Sequence, residues 1–487
     1  MREPHPDNIC RDHNHPRPAV GGGEFSPASG ANVGGPPSSV AIRNLPPFCR
    51  VAATLTPSKD SDIHIELWMP ISGWNGKFMG VGNGGWAGSI SYGQMSDPLR
   101  RGYAVASTDT GHSGGGLDGR FALGHPEKLV DFGYRAIHEM TTTAKALVTR
   151  FYGAKPRLSY WVGGSTGGKQ GLTEAQRYPN DYDGIVAGAP VNYWSRVMPH
   201  LIWLARATLD DAAGFMPPKD YPIVHRAVLN ACDARDGLRD DLLSDPAHCN
   251  FNPTVLLCSA GHDADCLTAP QVEGVKKIYG PVINSLTRTV ISPGLLPGIE
   301  LGWAPAAGGQ KPFQIPDDYF KYVVFKNPAW DFHTMDFDRD VSMSDGIARP
   351  VLDGTDPDLR RFAGHHGKLL VYHGLSDPLI TPLNTIDYYE SVLKRIGAGK
   401  TQGFMRVFMV PGMGHMAPST AGPVGFDMLA ALEQWVERGE APDHVVVSYM
   451  HDGKVERTRP VCPHPQIAVY TGTGSLDTAG NFTCKAP

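Results

Sequence analysis

Residues 158–178 constrain the fold of this chain more than any other stretch. Residues 158–162 (Leu-Ser-Tyr-Trp-Val) read as a strand, residues 163–167 (Gly-Gly-Ser-Thr-Gly) as a sharp turn, and residues 169–178 as a helix stopped by Pro179. A strand entering such a turn and leaving as a helix lifts the hydroxyl of Ser165 above a sheet edge, at the positive end of the helix. The same G-x-S-x-G spacing recurs around Ser113, but glycines follow it and no helix signal does. With 57 glycines in the chain a second match carries little weight, and Ser113 reads as part of a flexible active-site or surface loop.

Around this segment, short apolar runs alternate with amphipathic ones. Strand signals fall at 63–68, 77–81, 102–107, 158–162, 368–373 and 404–410, and helix signals at 132–152 and 425–437. In the last of these, Phe426, Leu429, Leu432 and Trp435 share one face. Alternation of this kind predicts a mostly parallel sheet covered by helices, an α/β-hydrolase fold. The pattern lapses between 193 and 350, which are rich in Pro, Gly, Asp and Trp, so that block is expected to be an inserted lid domain. Residues 41–192 and 351–487 then form the catalytic domain, and 1–40 a poorly ordered lead-in. The 487 residues are enough for two or three domains.

A serine hydroxyl attacks only when a base removes its proton, so a histidine and a carboxylate to orient it are required. The α/β-hydrolase order is Ser, Asp or Glu, then His. Asp377 lies in a strand-end turn (372–378, Tyr-His-Gly-Leu-Ser-Asp-Pro), and His415 in a glycine-rich loop (410–415, Val-Pro-Gly-Met-Gly-His) directly after the last strand signal. The alternatives are an Asp that caps the next helix and a loop histidine that merely packs. The charge developing on the carbonyl oxygen needs preplaced N–H donors. One is expected from Thr166 and the other from the loop 80–86 (Gly-Val-Gly-Asn-Gly-Gly-Trp), with Gly85 preferred over Gly84; the bland reading of that loop is a glycine turn.

A net charge of -5 offers no field for nucleic acid or anionic membrane, and no apolar run reaches the ~20 residues that span a bilayer. A small neutral or mildly anionic substrate fits better. The eight cysteines, Cys10, Cys49, Cys232, Cys249, Cys258, Cys266, Cys462 and Cys484, sit mostly in loop-like contexts, which suits nearest-neighbour disulfides; free buried thiols of a cytosolic enzyme are the alternative. No apolar h-region follows Met1, so a signal peptide has either been removed or never existed. The cysteines favour the first, and hence a secreted or periplasmic protein. No C-x-x-C pair suggests zinc. Residues 233–242 concentrate hard oxygen donors suited to Ca2+, although on spacing alone a solvated acidic turn explains them equally well.

Five stretches together resemble the tannase and feruloyl esterase family, which also contains the hydrolase of mono(2-hydroxyethyl) terephthalate. They are 131–138 (Asp-Phe-Gly-Tyr-Arg-Ala-Ile-His), 163–168, 174–179 (Glu-Ala-Gln-Arg-Tyr-Pro), 183–190 (Asp-Gly-Ile-Val-Ala-Gly-Ala-Pro) and 410–415, and the resemblance runs from about Cys49 to Cys484. It implies a triad of Ser165, Asp377 and His415, oxyanion donors at Thr166 and in the 82–85 loop, and a lid that shapes substrate choice. It further implies paired cysteines and a structural Ca2+ held in the lid by Asp233, Asp236, Leu238, Asp240 and Leu242. The family's cysteines immediately before the nucleophile and after the histidine are replaced here by Gly164 and Met416, so that bridge cannot form and the branch is atypical.

The expected function is hydrolysis of esters of hydroxycinnamic or hydroxybenzoic acids through an acyl-enzyme on Ser165, feruloyl esterase ahead of tannase or terephthalate monoester hydrolase. An acyltransferase using the same triad, and a catalytically dead carbohydrate- or polyphenol-binding protein, are the competing readings.

Overall fold

A strand buried at every residue must be covered on both faces, and two of the central strands here have that character. The computed structural model describes residues 19–20, 22–26, 41–259, 265–416, 425–451 and 454–486. The chain separates into two compact units, 1–187 with 351–367 and 188–350 with 368–487.

In the first unit the sheet is built from β1 (Phe48–Leu55), β2 (Ile63–Pro70), β3 (Lys77–Val81), β4 (Ala104–Thr108), β5 (Leu158–Gly164) and β6 (Gly184–Gly188), in the spatial order β1-β2-β4-β3-β5-β6. β1 and β2 are antiparallel, with Phe48 opposite Pro70 and Leu55 opposite Ile63. β2 runs antiparallel to β4, whereas β3 runs parallel to both β4 and β5, with Lys77 opposite Leu158 and Val81 opposite Val162. The result is a mixed sheet. Every residue of β4 and β6 is buried, whereas β1 alternates, as a strand with one covered face should.

Two pieces of the expected lead-in are ordered. Ala19–Val20 pairs with Cys49 and Phe48, and Gly23–Phe25 pairs with Ile42–Leu45. Phe25 is buried against Phe48, Trp68 and Tyr92, and that aromatic contact gives a Gly- and Pro-rich segment a reason to be fixed. The rest of 1–40, Cys10 included, lies outside the described residues. The helix expected at 132–152 begins as a π-helical turn, Asp131–Arg135, and becomes α-helical over Ala136–Tyr152. Its buried face is Ala136, Ile137, Met140, Thr141, Ala144 and Val148, and Gly153 ends it at φ +72°.

The second unit contains the parallel pair β7 (Lys368–Gly374) and β8 (Met405–Val410), in register from Leu369 opposite Met405 to Gly374 opposite Val410. The helix Met428–Arg438 is capped by the Asp427 carboxylate, which accepts from the Ala430 N–H at 2.9 Å. Residues 193–350 supply the helices Trp194–Leu209, Tyr221–Cys232 and Ala269–Tyr279, joined by long irregular connections. Disulfides join Cys232 to Cys249, Cys258 to Cys266 and Cys462 to Cys484. Cys49 is also disulfide-bonded.

Candidate active site

Ser165 follows β5 directly and has φ +58° and ψ -119°, after which Thr166–Arg177 is helical. A non-glycine residue there is strained and persists only where its surroundings over-determine it. The surroundings are glycines in close contact. A Cβ on Gly163 would stand 2.6 Å from the Gly167 carbonyl, and one on Gly82 2.6 Å from Gly167 Cα. The Gly167 N–H donates to the Asn83 carbonyl at 2.8 Å, and the Gly82 N–H to Val162 at 3.0 Å. The buried Gln170 side chain pairs with Asn83 twice, accepting from its N–H and donating to its Oδ1, both at 3.1 Å. The 82–85 loop is thereby fixed to the turn that carries Ser165.

Thr166 opens the helix, so its N–H has no carbonyl one turn earlier to bond. Its hydroxyl donates to the Gly85 carbonyl at 2.7 Å, and Gly85 itself has φ +55°. The two expected oxyanion donors are therefore on one hydrogen-bonded assembly. Ser113 is exposed and followed by no helix.

In the second unit, β7 ends at Gly374 and the turn after it buries Asp377 completely. One carboxylate oxygen, Oδ1, accepts the N–H groups of Leu379 (2.9 Å) and Ile380 (3.0 Å). The other, Oδ2, lies 2.7 Å from His415 Nδ1 and 3.1 Å from His373 Nε2. Burial works to raise the Asp377 pKa, but the His415 charge and the hydrogen bonds from His373 and His415 hold it well below the usual carboxylate range. Burial likewise opposes the His415 imidazolium, yet the Asp377 charge and hydrogen bond prevail and raise the His415 pKa. His373 was not singled out from the sequence, although it stands four residues before Asp377 in the same quoted turn. Beside His415 the unit contains a cavity of about 190 Å3 whose walls include Leu375, Ser376, Pro378, Leu242 and His225. His225 is fixed at 2.7 Å by the buried Glu300, which also accepts from Tyr279.

The acidic loop supplies part of that wall through Asp241 and Leu242. Within it, Asp233 Oδ1 and Asp240 Oδ1 are buried with no hydrogen-bond donor. Asp240 Oδ2 is held by Arg459 at 2.9 Å, and Arg457 donates to the Asp240 carbonyl at 3.1 Å. Burial first, then neighbouring carboxylates, raise the pKa values of Asp233 and Asp236. Orphaned oxygens among mutually repelling carboxylates fit a hard cation. Among the described residues, the group whose ligand atoms all approach within 4.8 Å is instead His138, Glu174 and Asp181, far from the loop in sequence. Lys145 donates to the Asp181 carbonyl there, giving that cluster a counter-charge of its own.

The mixed sheet with helices of the first unit, with a strained serine at a strand–helix turn, and the parallel strands of the second, followed by a buried Asp–His pair, are the parts of an α/β-hydrolase fold. The chain belongs to the tannase and feruloyl esterase family: the family profile described as "Tannase and feruloyl esterase" matches residues 49–294 and 305–485. It is a carboxylic ester hydrolase. Similar proteins include an uncharacterized esterase of Xanthomonas campestris pv. campestris, 37% identical over 92% of this chain and 86% of the relative. Another is a probable feruloyl esterase B-1 of Neosartorya fischeri, 33% identical over 95% and 91%. The crystal structure of feruloyl esterase B from Aspergillus oryzae superposes with a TM-score of 0.87 at 31% identity, covering 94% of this chain and 95% of that one. Tannin acyl hydrolase from Aspergillus niger shares the fold, with a TM-score of 0.78 at 22% identity over 95% and 90% of the two chains. Among the described residues no helix is long and apolar enough to cross a membrane.

Proposed function

We propose that this esterase hydrolyses esters of aromatic carboxylic acids, hydroxycinnamates foremost, through an acyl-enzyme on Ser165. The observation that carries the reading is the Asp377–His415 pair, which leaves the imidazole with Nδ1 committed to the carboxylate and Nε2 as the basic nitrogen. His415 takes the proton of Ser165 Oγ as that oxygen attacks the ester carbonyl. The N–H groups of Thr166 and Gly85 stabilise the oxyanion. Collapse of the intermediate breaks the bond to the alcohol oxygen, which leaves with the proton from His415. Water, deprotonated by the same imidazole, then releases the acid and restores Ser165. The aromatic acyl preference rests on relatives named feruloyl esterase B at 31 to 33% identity over most of both chains.

Ca2+ bound by the carboxylates of Asp233, Asp236 and Asp240, with the carbonyls of Leu238 and Leu242, would neutralise the acidic loop and stiffen the cavity wall it forms. Residues 193–350 act as the lid, and an oxidising, extracellular or periplasmic setting suits the disulfides. A panel of methyl ferulate, methyl gallate and a terephthalate monoester tests the substrate class. The highest kcat/KM is expected on the ferulate, and activity confined to short aliphatic esters would refute the aromatic assignment.

A further inference from the structure

We propose that His373 is a positioning residue for the reaction, its Nε2–H holding the Asp377 carboxylate in place and sharing with His415 the oxygen that His415 bonds. The inference rests on the reading of His415 as the base. It starts from the hydrogen-bond inventory of a side chain that is completely buried. His373 Nε2 lies 3.1 Å from Asp377 Oδ2 and 3.0 Å from the Ile380 carbonyl. Both partners can only accept, so the proton is on Nε2. His373 Nδ1, 2.7 Å from Thr385 Oγ1, then accepts the threonine hydroxyl proton. Thr385, also buried, thereby polarises the ring and strengthens the opposite N–H as a donor.

Asp377 consequently receives four donors, two amides on Oδ1 and two imidazoles on Oδ2. A carboxylate oxygen shared between two donors presents less negative charge to each. His415 needs enough of that charge to be oriented and to accept a proton, but too much would keep it protonated at the working pH. His415 and His373 both act on Asp377, and Asp377 acts on His415. Without the His373 donor, Asp377 would turn its full charge on His415, and the pH needed to free the base would rise.

The test is the acid limb of kcat/KM against pH in His373→Leu, His373→Gln and Thr385→Val, measured on methyl ferulate or whichever ester in the panel turns over best. In His373→Leu the limb is expected to move to higher pH by about half a unit or more. His373→Gln, which keeps an N–H donor, should return most of the way to wild type. Thr385→Val should move the limb in the same direction but less. In the wild-type protein, 15N spectra at about pH 8 should show His373 as the Nε2–H tautomer, a measurement that does not depend on any variant folding. An unmoved or lowered limb in His373→Leu or Thr385→Val, or an Nδ1–H tautomer, overturns the proposal. A wild-type profile without any histidine limb would instead overturn the assignment of His415, so the two failures are told apart.

Discussion

At the residue level the proposed chemistry turns on the Asp377–His415 pair, whose electrostatics set a direction for pH dependence. The Asp377 charge raises the His415 pKa above the ordinary histidine value of about 6.5. The base is active when neutral, so kcat/KM should fall as pH drops through that raised value, with the limb above about 6.5. The sign for stability is opposite. Protonated His415 is favoured by the fold, so its contribution is complete below the unfolded pKa and is lost as pH rises through the folded one. A stopped assay across the neutral range, with buffer controls, checks the limb, and activity that stays flat into acid would remove histidine from the mechanism. The strand–turn–helix around Ser165 and the post-strand turns holding Asp377 and His415 were legible in the sequence, because each follows a strand signal directly; that Asp377 and His415 pair at 2.7 Å was not. Nor was His373: a histidine inside a strand reads as a core residue, and nothing local says that its ring reaches the Asp377 carboxylate.

At the level of the element, the turn between β5 and its helix holds backbone strain at Ser165. Ser165 at φ +58° occupies backbone space that costs a side-chain-bearing residue about 1 kcal/mol or more and glycine almost nothing. Ser165→Gly should therefore abolish ester turnover and leave the protein more stable by about 1 kcal/mol, less whatever glycine adds to the freedom of the unfolded chain. Thermal melting read alongside activity tests this, and a variant clearly less stable than wild type would contradict the strain. The strand and helix of this element were readable from their apolar periods and from Pro179. Invisible from sequence were the sign of φ at Ser165 and the Gln170–Asn83 clamp, because both depend on the approach of a loop more than seventy residues away. The π-helical turn at Asp131–Arg135 was likewise hidden inside a pattern that reads as ordinary helix. Phe25 was missed for a related reason: a single aromatic in a Gly- and Pro-rich stretch has no period, and its order comes from contacts with Phe48 and Trp68.

On the scale of the molecule, the acidic loop is where the proposed Ca2+ would couple stability to activity. Asp241 and Leu242 line the cavity beside His415, and the loop carries two buried carboxylate oxygens without donors. Removing a bound cation should therefore lower Tm and activity together, and Ca2+ should restore both, since a metal that binds the folded state alone stabilises by mass action. Asp236→Ala should lose the Ca2+-dependent gain in Tm. Metal analysis of protein purified without chelator that finds no calcium would contradict the site.

Covalent trapping shows whether Ser165 carries the acyl group. Wild-type protein is treated with a fluorophosphonate, and the site of modification is mapped by peptide mass spectrometry, with His415→Ala treated in parallel. One adduct per chain is expected, on Ser165, accompanied by complete loss of ester turnover and greatly slowed in His415→Ala. An adduct on Ser113 or any other residue, or full activity after Ser165 is modified, would rule out Ser165 as the nucleophile.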